Sequence, residues 1–223
     1  MMRRFGTGPL SRLAARTYTL LVVEAALVAT TAPGLALLVL LDRDASNVPL
    51  FLLCALPAGP ALSAAVYALH RQPADLTDLR PAAAFGRGYR RNVGAALRIW
   101  VPLLAVLAVV AVSLTHREAA GVPVWWSALL VVVAAAVTLL GLAALVIVSL
   151  FEFRPVDVLR LAVHFVAGRP AVALGTAGLL LAAAAVTALT SEAVLLLLGS
   201  AFTAALLSVT RPMINGITER FVA

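Results

Sequence analysis

Six apolar stretches, at residues 17–41, 48–70, 99–115, 124–151, 171–190 and 193–210, are separated by short segments that hold nearly all of the charge. A helix needs roughly 17–25 apolar residues to cross a bilayer, and the stretches fall in or near that range. None alternates residue by residue as a membrane β-barrel strand does, so helices are the expected element. The pattern predicts an all-α polytopic membrane bundle, with six transmembrane helices and cytoplasmic amphipathic segments, forming one domain over residues 1–223. The fourth stretch is longer than a crossing needs and is expected to tilt or project. The last two form a tight hairpin through Thr190, Ser191 and Glu192, with Thr190 or Ser191 as the expected N-cap of the sixth helix.

The second stretch is interrupted by Pro57, Gly59 and Pro60. Proline breaks the helical hydrogen-bond ladder and frees carbonyl groups. Transporters build binding sites from such breaks, but ordinary spans also carry kinks whose freed groups neighbouring helices satisfy. No second break is evident at a matching place in another hairpin, which favours the kink. After this stretch comes an arginine-rich segment, FGRGYRRNVGAALRIW. On a helical wheel Phe85, Tyr89, Val93, Ala96 and Trp100 share one face, and Arg87, Arg90, Arg91 and Arg98 the opposite one. This predicts an amphipathic helix, opened by Pro81, that lies on the membrane surface before turning into the third span. A similar segment runs from Pro155 to Pro170. Arg-Pro recurs at Arg80-Pro81, Arg154-Pro155, Arg169-Pro170 and Arg211-Pro212, a weak hint of an internal repeat that composition alone can also generate.

Composition agrees with a membrane protein. Mean hydropathy is +1.05, with 63% hydrophobic and 12% charged residues, where a soluble domain has about 45–50% and about 25%. The net charge of +7 comes without a single lysine. Four arginines precede the first span, six lie between the second and third, three between the fourth and fifth, and two follow the sixth; only Arg43 and Arg117 lie on the other side. That bias predicts a bacterial cell-membrane protein with both termini in the cytoplasm. A basic pI would suit nucleic acid, but the arginines flank spans, so the expected partner is the lipid bilayer and not nucleic acid. The basic N-terminus leads into an apolar stretch too long for a cleaved signal peptide, so the first span is expected to be retained. Cys54, the single cysteine, lies in an apolar run and reads as a small hydrophobe.

Candidate chemistry is sparse. Glu24 lies about seven residues inside the first span, roughly 10 Å deep, where an ionisable group is costly. It is either a functional group facing the bundle interior or a structural one, placed near the interface or paired with an arginine. His70, His116 and His164 show no metal-ligand spacing. Asp75 and Asp78 are the nearest approach to an acidic pair and sit in a loop beside arginines. Gly86-Arg87-Gly88 lacks the rest of a phosphate-binding fingerprint, and Gly175 and Gly178 read as close-packing positions. No catalytic residue, metal set or cofactor is expected, and the chain is not expected to be an enzyme.

The run LCALPAGPALSAAVYALHR and the arginine-rich segment after it resemble the YesL-like family of bacterial integral membrane proteins. The residues that carry the resemblance are Leu56, Pro57, Ala61, Ala65, Tyr67, Phe85, Tyr89 and Asn92, within residues 50–100; the remainder agrees in span layout only. Gly59-Pro60 departs from the Thr-x-Gly of many members, and the first span resembles an actinobacterial subtype. The family has no assigned activity or catalytic residues. Its frequent association with carbohydrate ABC importers implies an accessory role in sugar uptake or sensing, with such a transporter or another membrane protein as partner. The alternative is a small permease or channel using Glu24 and the broken second helix. The candidate functional positions are Glu24, Pro57, Gly59, Pro60, Tyr67, Arg87, Arg90, Arg91 and Asn92.

Overall fold

A computed structural model describes residues 9–41, 44, 47–71, 79–117, 121 and 123–221. Arg3, Arg4, Arg43, Asp75 and Asp78 lie outside the described residues. The described chain is helical, without strands: α1 (Pro9–Leu40), α2 (Val48–Cys54), α3 (Ala58–His70), α4 (Pro81–Thr115), α5 (Val124–Leu150), α6 (Pro155–Gly168), α7 (Pro170–Leu189), α8 (Glu192–Leu197) and α9 (Gly199–Phe221). Among the described residues, five segments are long and apolar enough to cross a membrane: Leu10–Leu38, Pro49–His70, Pro81–Thr115, Val124–Leu150 and Pro170–Leu189.

Helix α3 is the hub. Nine of its 13 residues are buried, among them Ala61, Ala64, Ala65 and Ala68. Small side chains let neighbouring backbones approach closely, which is how helices pack where lipid removes the hydrophobic drive. On one side α3 meets Val23 and Leu27 of α1 and Phe85 of α4. On the other, Val66 joins a cluster that includes Ala96, the α5 run from Ala143 to Val148, Val158 and Phe165 of α6, and Met213 and Ile217 of α9. Helix α5 is therefore uneven: its C-terminal third is enclosed by protein, while Val124, Trp125, Val131 and Val132 are exposed in its first half. On α7 only Val172 and Thr176 are buried. A bilayer accommodates these apolar faces; water would not.

The structure corrects three boundary expectations. Helix α4 runs unbroken for 35 residues, with Pro102 inside it, and does not turn at Arg98–Trp100. Its buried stripe is Pro81, Phe85, Gly88, Asn92, Ala96 and Leu103, so Tyr89, Val93 and Trp100 of the expected face are only half-buried. The α3 alanines already occupy this stripe, so the apolar face lies on protein and not flat on lipid. At about 52 Å, α4 outreaches a hydrocarbon core of about 30 Å. Second, α1 starts at Pro9, so Arg12 and Arg16 ride on the helix. Third, the sixth apolar stretch is not one helix: it divides at Leu198 into α8 and α9. Ser191 caps α8 as expected, its Oγ accepting from Val194 N at 3.4 Å.

Candidate functional site

Two broken helices and one polar junction hold all the candidate residues except Arg87 and Arg90. At the first break the chain turns through residues 55–57 and re-forms a helix at Ala58. Pro57 and Pro60 have no N–H for the carbonyls of Leu53 and Leu56, four residues back. Shorter bonds carry the chain across instead: Ala55 N to Leu52 O, Leu56 N to Leu53 O and Ala58 N to Ala55 O, each 3.1 Å. The Ala55 carbonyl also accepts from Trp100 Nε1 at 2.9 Å. Trp100 reaches it because Gly59 has no side chain; a Cβ there would fall inside the indole. Pro57, Gly59 and Pro60 thus shape a bend that α4 pins.

The second break is the one the sequence did not disclose. Glu24, about midway along α1, meets the start of α9, where its Oε2 accepts from Ser200 N at 2.6 Å. The first N–H groups of a helix lack intrahelical acceptors, and here a carboxyl group from another helix supplies one. Buried Oε1 has no hydrogen-bond partner among the described residues. Ser200 and Thr203 are both buried on α9. Glu24 therefore faces the bundle interior and pairs with backbone, with no arginine partner among the described residues.

The polar junction joins α3, α4 and α5. Asn92 Nδ2 donates to Ser149 O at 3.0 Å. Ser149 Oγ lies 2.5 Å from Leu145 O and 2.8 Å from Ser63 Oγ. A hydroxyl has one proton; with that of Ser149 on Leu145, Ser63 supplies the other bond. Tyr67, buried on α3, packs on Gly88, where a Cβ would come within 2.9 Å of it. The Arg71 guanidinium covers the Tyr67 ring at 4.8 Å, a cation–π contact. Where α4 passes the end of α5, Arg91 Nη2 donates to Glu152 Oε1 at 2.5 Å. The pair is solvent-exposed, so it contributes about 0–1 kcal/mol.

The structure brings Tyr67, Arg91 and Asn92 into one region and sets Glu24 and the Pro57 break elsewhere. Arg87 and Arg90 are exposed on the far side of α4 from its buried stripe. Sequence reasoning missed Ser63, Ser149, Glu152 and Ser200, and placed Trp100 on an apolar helix face without its hydrogen bond to Ala55. Short hydroxyl residues in apolar runs carry no periodic signal that separates a partnered one from an idle one. Among the described residues no three His, Cys, Asp or Glu side chains converge on a metal position. Comparison with known protein families, curated proteins and solved structures gives no match.

Proposed function

We propose that this chain is an accessory component of the bacterial cell membrane, resembling the YesL-like family, that works beside another membrane complex such as a carbohydrate ABC importer. In this reading the chain crosses six times. The sixth crossing is the broken pair α8 and α9, and both termini and the arginine-bearing helix ends lie in the cytoplasm.

One observation carries the accessory reading over a permease: the polar groups at the two helix breaks close contacts between helices and do not converge. A permease built from broken helices gathers their freed groups around one solute. Here Gly34 abuts the Cys54 carbonyl beside the first break, while Glu24 serves the second. Ten residues of α1 separate these contacts, about 15 Å along its axis. The existence of two broken helices is what keeps the permease as the second reading.

Affinity purification of the tagged full-length protein from native membranes is expected to recover a transporter subunit. Reproducible recovery of the protein alone counts against the accessory role, and flux of a sugar, ion or proton through reconstituted protein would move the assignment to a permease. The topology has its own check in a Cys54→Ala background. In intact cells, a membrane-impermeant thiol reagent should label His116→Cys and spare Arg160→Cys. The opposite labelling would reject the cytoplasmic placement.

A further inference from the structure

A cleft of about 410 Å3 opens between α4 and the linker 151–154, lined by Arg91, Arg98, Arg154, Asn92, Glu152 and Phe153, among others. Three guanidinium groups there face one carboxylate. Glu152 is engaged by Arg91, while Arg98 and Arg154 have no acidic partner among the described residues. Arg154, like Arg80 and Arg169, stands at a helix start before a proline. It is the N-cap of α6 and makes no side-chain cap bond. An N-cap side chain normally accepts from the helix; a cation at the positive end of the helix dipole is unfavourable, a cost that Asp157 in the first turn of α6 already offsets in part. Pro155, the first residue of α6, borders the cleft.

We propose that this cleft binds a phosphate group, with Arg98 and Arg154 as its principal ligands. The planar guanidinium fork matches phosphate oxygens in pairs. Two sources present this chemistry, an anionic lipid headgroup and soluble phosphate, and the setting favours the lipid. The cleft lies where the apolar run of α5 ends at Leu150 and the stacked rings of Phe151 and Phe153, 5.8 Å apart, begin. On α6, Val156, Leu159 and Val163 are exposed. Spaced three and four apart, they form an apolar stripe next to the cleft, suited to acyl chains. The inference does not depend on the accessory role.

The test uses purified full-length protein in uncharged detergent, titrated with short-chain phosphatidylglycerol, short-chain phosphatidylcholine or inorganic phosphate, with binding read by thermal shift. Phosphatidylglycerol is expected to stabilise the protein and phosphatidylcholine not to. The double variant Arg98→Gln/Arg154→Gln should weaken phosphatidylglycerol binding at least about tenfold, the scale of one lost charge-assisted hydrogen bond. Arg87→Gln/Arg90→Gln, equally exposed on α4 but outside the cleft, should not weaken it. Equal stabilisation by inorganic phosphate, lost in the same double variant, would assign the site to a soluble phosphate. Equal loss in both double variants would reduce the effect to diffuse charge and overturn the site, as would binding of neither probe. Should the double variant fail to fold, Glu152→Gln decides: removing the one carboxylate should tighten binding severalfold, and no change or weaker binding counts against the proposal.

Discussion

Gly59→Ala is expected to destabilise the protein by about 2–4 kcal/mol, from overpacking of roughly 1–3 kcal/mol and a weakened hydrogen bond of about 1 kcal/mol. The added methyl would clash with the Trp100 ring and come within 2.7 Å of its Cβ, so the side chain and α4 must shift and loosen the bond that Trp100 makes to the Ala55 carbonyl at 2.9 Å. That carbonyl sits at a proline-broken turn, within a segment apolar enough to span a membrane. There, water cannot readily replace a lost donor. A double-mutant cycle isolates the cause. In a Trp100→Ala background, Gly59→Ala should cost clearly less, because the ring is gone, but not nothing, because the Cβ of residue 100, 2.7 Å from the added methyl, remains. Melting of purified protein in detergent measures all four corners. Equal destabilisation in both backgrounds would show that Gly59 is needed for its backbone and not for the indole.

Glu24 governs the second large effect. Glu24→Ala should cost about 1–3 kcal/mol by leaving the Ser200 N–H without its acceptor. Glu24→Gln keeps an amide oxygen for that bond and is expected to stay within about 1 kcal/mol of the parent. The Oε1 position has no partner among the described residues, so the amide nitrogen that replaces it breaks no existing contact. Melting in detergent and abundance in membranes should therefore rank parent and Gln together, above Ala. Ala as stable as Gln would mean that the Ser200 contact contributes nothing. Full abundance of Gln with loss of copurifying partners would give Glu24 a functional role beyond its structural one.

Much of this chain was legible from its pattern because a bilayer imposes simple rules. A backbone in hydrocarbon must satisfy its own hydrogen bonds, so long apolar runs become helices, and five of the six stretches overlap, over most of their length, described segments long and apolar enough to span. Pro81 and Pro155 open helices as expected, because proline at the first position loses no bond; Pro170, expected to close the segment before it, also opens α7. Pro212 does not: it lies inside α9, since a proline without capping signals is only a weak stop. The bend near Pro57 was equally readable, because a missing N–H is a local fact.

Composition and proline position thus determined the helical class, most helix boundaries and the first break. Tertiary structure alone decided the break at Leu198, the pairing of Glu24 with Ser200, the pinning of Ala55 by Trp100 and the grouping of Arg91, Arg98 and Arg154 around one cleft. The physical reason is range. Propensity and periodicity act over a few residues, whereas each of these contacts joins positions 45 to 176 residues apart or gathers arginines from separate helices, and only the packed bundle brings them within reach.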